Sequence, residues 1–236
     1  MCGRFVLTTP ADALAREFGV SPGTGGLLLA PRYNIAPMQD VVVVRNDGGR
    51  RTLAVVRWGL IPMWAKDPAI ASKMINARAE TAASKPSFRD AMQRRRCIVP
   101  ASGFYEWKKE GGRRQPWYFR SRDPRKSLAI AAIWERWRDP DHPEAGIVET
   151  CCLLTTGANQ LCAPVHDRMP LILDADGAAR WLDPELTDSA ALTDLLVPAP
   201  DDTLRSHPVS TAVNAVRNDD ARNIEEELPE QTSMFS

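Results

Sequence analysis

Cys2 stands behind a methionine at the head of the chain. Methionine is trimmed readily when the residue after it is small, and cysteine is small. The mature chain would then begin with a thiol and a free α-amine on adjacent carbons. An α-amine with a pKa of about 7.7–8.0 is partly neutral near pH 7. A neutral amine adds to an aldehyde and gives an imine. The neighbouring sulfur then closes on the imine carbon to form a five-membered thiazolidine. An intramolecular closure of this kind has a very high effective molarity, so the adduct is durable. No other residue type performs both steps. Position alone leaves a second reading open, in which Cys2 is a small buried apolar residue, as free cysteines often are.

Three further stretches carry groups that move protons or orient a substrate. Val165-His166-Asp167-Arg168-Met169-Pro170 holds a histidine, which titrates in the range needed for general acid–base work, beside an arginine suited to a phosphate. The plainer alternative is a loop histidine with a salt-bridged neighbour. Gly103-Phe104-Tyr105-Glu106-Trp107 sets a carboxylate among aromatics. Apolar surroundings would raise its pKa and ready it for proton transfer. Strand alternation favours the other reading, an outward-facing Glu106. In Met74-Ile75-Asn76-Ala77-Arg78-Ala79-Glu80, an amide, a cation and a carboxylate occupy alternate positions. An extended segment puts all three on one face, where Asn76 can orient a substrate and Arg78 can hold a phosphate. An ordinary polar strand face fits as well.

Trp58 and Trp64 flank a Gly/Pro-containing turn. Exposed aromatics near cations can stack bases of a single strand. Burial in a core is the expectation for Trp58 more than for Trp64. Arg94-Arg95-Arg96 and Lys108-Lys109 read as solvated charge runs.

These groups need elements to position them. Thr9-Pro10-Ala11-Asp12 reads as a helix start with a capping residue, and the helix runs through Ala13–Phe18 to stop at Gly19. Residues 21–32 are rich in Gly and Pro and read as loop. Val41–Val44, Asp47-Gly48-Gly49 and Thr52–Trp58 read as a hairpin. Ile98-Val99, Trp117–Arg120, Ser127–Trp134 and Val148–Thr155 read as strands, with a turn at Gly111-Gly112. Asp176–Leu182 and Ser189–Leu196 read as short helices. Strands outnumber helices without regular alternation. That predicts an α+β fold: a single mixed domain with a mostly antiparallel, barrel-like β core and short peripheral helices. The domain is placed at residues 1–217. A polar, acidic tail at 218–236, containing Glu225-Glu226-Glu227, is expected to be poorly ordered.

Composition narrows the field. At 236 residues and 44% apolar content, the chain can build one sizeable core. Thirty basic and thirty acidic residues cancel. Proteins that rely on bulk phosphate attraction are usually basic, so any nucleic-acid contact must come from a local patch. Five irregularly spaced cysteines and three histidines argue against a disulfide scaffold and a structural zinc site. No metal or cofactor is expected. The start lacks a basic region followed by a long apolar stretch, and the longest apolar runs are strand-length. Neither a signal peptide nor a membrane anchor is expected, and a reducing cytoplasm is the expected compartment.

Taken together and in order, seven stretches resemble the SOS response-associated peptidase family. They are MCGRF at 1–5, RYNIAP at 32–37, RWGLIPMW at 57–64, INARAET at 75–81, CIVPASGFYEWKK at 97–109, VHDRMP at 165–170 and HPVS at 207–210. The resemblance implies a barrel-like β core and a positively charged cleft for single-stranded DNA. It implies covalent capture of abasic sites through the amino-terminal cysteine, which shields the lesion, with weak lyase activity as a side path. By the same resemblance Cys2 is the nucleophile, Asn76 and His166 orient and transfer protons, and Glu106 is the acid–base carboxylate. Arg4, Asn34, Trp64, Arg78 and Arg168 match positions near the DNA strand. The peptidase label then describes loss of Met1, through the protein's own action. The expected partner is single-stranded DNA with abasic sites, bound by a monomer, with replication-fork proteins as further candidates. Two rival classes stay open. An amino-terminal-nucleophile amidohydrolase also begins Met-Cys-Gly, although its other motifs are missing beyond Gly3. A non-catalytic single-strand binding module would leave Cys2 unmodified.

Overall fold

The computed structural model describes residues 2–21 and 29–227. The chain opens with strand β1 (Phe5–Leu7) and helix α1 (Ala11–Glu17). Strands β2 (Arg32–Ile35), β3 (Asp40–Asp47) and β4 (Arg50–Trp58) follow. Next come β5 (Asn76–Arg78), α2 (Ala79–Ala82), α3 (Arg89–Arg94) and β6 (Arg96–Ala101). Then β7 (Gly103–Glu110), β8 (Arg113–Ser121), β9 (Leu128–Arg138) and β10 (Ile147–Gly157) form the long strands. β11 (Arg168–Pro170), β12 (Ile172–Leu173), α4 (Ala175–Trp181) and β13 (Leu204–Pro208) complete the set.

The order of pairing makes two layers. Strands β10, β4, β3, β6 and β9 form a ring that closes where β9 meets β10. Its pairs are antiparallel except for β4 with β10. The second layer is an antiparallel sheet in the order β13-β8-β7-β1-β2. This is the α+β, barrel-cored single domain with short helices that the strand pattern predicts.

Local chemistry explains the main strands. All four valines of Val41–Val44 are buried, which fits a strand covered on both faces and its unbroken apolar run. Both two-residue hairpin turns are Gly-Gly. Gly48 and Gly49 have φ of 60° and 85°, and Gly111 and Gly112 have φ of 53° and 80°. Two successive left-handed residues make the turn whose twist matches the flanking strands, and glycine adopts it without strain. Trp58 is fully buried and tilts 58° against Phe5 at 5.3 Å, joining the two layers. Its Nε1 donates to the Ile75 carbonyl at 2.8 Å, so no polar atom of the ring is stranded. Removing such a ring costs about 3–5 kcal/mol.

Several expectations need correction. Pro10, not Thr9, occupies the cap of α1, and no side chain caps it. The Thr9 hydroxyl instead meets those of Ser127 and Ser102. Ser189–Leu195 forms a 3-10 helix instead of an α-helix. The chain after Asn218 is not loose through residue 227. Ala221–Ile224 forms a 3-10 turn, Asn223 is buried, and Glu227 N–H donates to the Pro208 carbonyl at 2.9 Å. His207 Nε2 donates to the Ile224 carbonyl at 2.9 Å and pins the same segment. Most of the expected 21–32 loop, the tail beyond 227 and Met1 lie outside the described residues. Among those described, no helix is long and apolar enough to cross a membrane.

Candidate functional site

Cys2 sits just ahead of β1, the strand held between β2 and β7, and it is fully buried. Asn76 opens β5, which runs parallel to β10 with Leu153 opposite Asn76. Its Nδ2 donates to the Cys2 carbonyl at 2.7 Å. The barrel therefore grips the amino-terminal segment at the residue expected to react. Asn76 Oδ1 is buried and has no hydrogen-bond partner among the described residues. A stranded acceptor costs about 1–3 kcal/mol, and its place beside Cys2 suits a donor that arrives later.

Glu106 lies on β7 and is only 4% exposed. The outward-facing reading is therefore overturned. Alternation assumes that one face of a strand meets water, whereas β7 is covered on both. Phe104 packs into the barrel-side core, while Tyr105 and Trp107 pack with Val209 and Val213 from the C-terminal segment. Burial pushes the Glu106 carboxyl up to about 7. The positive amino terminus and the Trp107 backbone N–H oppose that rise, and Asp167 adds to it. Glu106 in turn helps to raise the thiols of Cys2 and Cys162, for both of which burial is the larger cause. The Cys2 thiol is thus held protonated near neutral pH.

His166 is half-buried, on the loop before β11. Its Nδ1 lies 3.0 Å from the Arg168 backbone N–H and 2.9 Å from Asp167 Oδ1. These contacts ask opposite things of Nδ1. The backbone donor is fixed, whereas the Asp167 side chain is 88% exposed, so the backbone contact decides. Nδ1 accepts, and the neutral ring carries its proton on Nε2. Burial first, and then the amino-terminal charge, lower the His166 pKa, so neutral imidazole predominates at pH 7.

The five residues matched to the DNA strand fall into two groups. Trp64 and Arg78 are exposed, as a strand-stacking ring and a phosphate ligand need to be. The other three are engaged inside the protein. Asn34 is 1% exposed. Its Oδ1 accepts from Arg4 at 2.6 Å, and its Nδ2 faces the carbonyls of Val213, Ala215 and Asn218. Arg4 also donates to the Val213 carbonyl at 2.8 Å and lies over the Trp107 ring at 5.9 Å. Arg168 grips Glu80 with both ends of its fork, at 2.7 and 2.9 Å, and donates to the Thr155 carbonyl at 2.6 Å. That pairing holds Glu80 below the usual carboxylate range. It also clasps α2, which follows the Asn76 strand, to the His166 loop.

Cys2, Asn76 and Glu106 therefore converge. His166 joins them through Asp167, whose carboxylate acts on both His166 and Glu106. Sequence reasoning did not single out Glu80 as the partner of Arg168, because 88 residues separate them. It also passed over Cys162, whose carbonyl accepts the His166 N–H at 3.0 Å. Among the described residues, no group of three His, Cys, Asp or Glu side chains is placed to hold a metal ion.

The family model of the SOS response associated peptidase (SRAP) matches residues 1–216. The chain is 40% identical over 226 residues to the abasic site processing protein YoqW of Bacillus subtilis (strain 168), across 95% of this chain and 99% of that one. It is 32% identical over 236 residues to the abasic site processing protein YedK of Escherichia coli (strain K12), across 95% and 99%. It is 33% identical over 219 residues to the abasic site processing protein HMCES of Gallus gallus, across 80% and 64%. A crystal structure of a Bacteroides thetaiotaomicron protein matches the fold with a TM-score of 0.85 at 26% identity, across 96% and 100%. With the family model spanning nearly the whole length, and these relatives above 30% identity, the chain belongs to the SRAP family.

Proposed function

We propose that this protein recognises abasic sites in single-stranded DNA and captures them covalently through Cys2 once Met1 has been removed. The observation that carries the reading is the convergence of Cys2, Asn76 and a buried Glu106 with a raised pKa. Relatives named for abasic site processing support the same substrate.

The chemistry runs in four steps. An abasic deoxyribose is mostly a closed ring; His166 donates a hydrogen bond from Nε2 to the ring oxygen, and as the C1′–O4′ bond breaks that oxygen takes up a proton from water while the C1′ hydroxyl gives one to water, leaving the aldehyde. Glu106 takes a proton from the Cys2 amine, and the amine attacks C1′. Glu106 then returns its proton to the departing hydroxyl, which leaves as water, and an imine remains. The Cys2 sulfur bonds to the imine carbon while its proton passes to the imine nitrogen. The thiol therefore needs no prior ionisation, which suits its buried state. Asn76 holds the Cys2 carbonyl still throughout. Flanking phosphates fix position and carry no base identity, so capture follows the lesion and ignores sequence. An imine that escapes ring closure drains into β-elimination, a weak lyase path.

The test is incubation of the mature protein with single-stranded oligonucleotides, abasic and intact, followed by denaturing electrophoresis and intact mass. A heat-stable adduct on the abasic strand alone, of one protein plus one strand minus one water, is expected. Equal binding to both strands with Cys2 unmodified would leave only a binding module, and glutamine hydrolysis would indicate an amidohydrolase. Protein retaining Met1 is expected to be inert.

A further inference from the structure

Glu106 has a neighbour with no role in the steps above. Trp117 on β8 is paired with Glu106 across the β7–β8 ladder. Directly opposite residues in an antiparallel pair share a face, with Cβ atoms about 4.5–5.5 Å apart. The flanking pairs confirm which face this is. Phe104 and Phe119, two positions along, stack with centroids 5.0 Å apart inside the barrel-side core. Trp117 packs against that same core, whereas Tyr105, Trp107 and Tyr118 belong to the opposite face. The Trp117 Nε1 is buried and has no partner among the described residues. Buried indole N–H groups usually find one, so this ring is not placed for its hydrogen bond.

We propose that Trp117 is a positioning residue for Glu106: its indole forms the dry wall that keeps water from the carboxyl and so decides when Glu106 holds its proton. The inference deepens the proposed function and rests on Glu106 as the acid–base group. The charged and titratable groups that act on Glu106 or feel it come from other elements. They are the amino terminus and Cys2 thiol ahead of β1, the Cys162 thiol and the Asp167 carboxylate. Trp117 adds no charge, so its influence runs through water exclusion alone. A carboxyl against an indole wall favours its neutral form.

The sign of the effect follows. Glu106 acts as a base when deprotonated, so the crosslinking rate falls as pH drops through its pKa. Admitting water lowers that pKa and moves this acid limb to lower pH. The pH–rate profile for an abasic oligonucleotide is measured for wild type, Trp117→Gln, Trp117→Leu and Trp117→Phe, each checked for folding by thermal melting. Gln is expected to move the limb down by about one pH unit, with several-fold more of the neutral rate retained at pH 5.5. Leu, which stays apolar but opens a gap, is expected to move it part of the way. Phe rebuilds the wall without the N–H and is expected to leave the limb in place. An unmoved limb in both Gln and Leu variants overturns the proposal. So does a Phe variant that shifts as far as Gln, because the N–H would then carry the effect. A carbon-13 NMR titration of the Glu106 carboxyl in wild type and Trp117→Leu gives a second readout. It decides the point even if no crosslink forms, in which case the proposed function fails on its own.

Discussion

Two groups of cysteines are buried to the same degree and sit in different company. Cys97, Cys151 and Cys152 are free, fully buried and set on β6 and β10 of the closed ring. Burial pushes all three thiols up; Cys151 adds to the rise of Cys152, and both add to that of Cys97. Cys2 is equally buried, and its thiol is pushed up as well. Thiol acidity therefore does not separate the reactive position from the inert ones. What separates them is the neighbourhood. The ring cysteines lie in an apolar core, whereas Cys2 is held by the Asn76 amide beside a carboxyl poised near neutrality. A buried thiol that adds to an imine, passing its proton to nitrogen, loses nothing by staying protonated. In the proposed reaction the chemistry resides in the neighbours and the freed amine.

The strongest way to break this contrast is to exchange the two kinds of site. Cys2→Ser is expected to abolish the heat-stable adduct, while Cys152→Ala keeps full crosslinking and lowers the melting temperature. A heat-stable adduct in Cys2→Ser would falsify the thiazolidine. His166→Ala comes next. It is expected to slow crosslinking by about 10²-fold and leave affinity for a tetrahydrofuran-containing strand unchanged; an unaltered rate would remove His166 from the mechanism.

Glu106→Gln sharpens the contrast through stability. A carboxyl raised on folding stabilises while protonated. That contribution is full below its ordinary value of 4.5 and is lost as pH climbs through about 7. The Gln variant should therefore be more stable than wild type at pH 8, by about 3 kcal/mol, with no gain at pH 4. Paired thermal melts at the two values decide it; a gain equal at both would point to packing.

Glu80→Gln has the smallest expected effect and tests how far the polar neighbourhood reaches. Glu80 is 46% exposed and Arg168 16%, so losing the pair costs at most about 1 kcal/mol. The released guanidinium is expected to meet a phosphate and steepen the salt dependence of binding to intact single strands by about 0.7 in the log–log slope. An unchanged slope would make Arg168 a brace between α2 and β11 alone.

Much of the scaffold was legible in local patterns. The Gly-Gly turns, the unbroken run at Val41–Val44 and the contrast between Trp58 and Trp64 each follow from short-range chemistry. The candidate site was legible in residue types, and its environment was not. Glu106 reads as solvent-facing until the fold shows its face of β7 turned onto the barrel-side core, beside Phe104 and opposite Trp117. Asn34 and Arg168 match positions near the DNA strand by resemblance alone, and only the fold reveals the carbonyls and the carboxylate that they also hold. Trp117 carries no signal in the sequence, since its importance is its register against Glu106.

The tie from Arg4 to the Val213 carbonyl spans 209 residues, and it gives the site a place in time. Synthesis proceeds from the amino terminus at about 5–20 residues per second. The far anchor of the reactive end thus leaves the ribosome roughly 10–40 s after Cys2 does. Until Val213 emerges, Arg4 lacks this anchor on the C-terminal segment. The grip on the amino-terminal segment is completed last, when the rest of the chain has arrived to hold it.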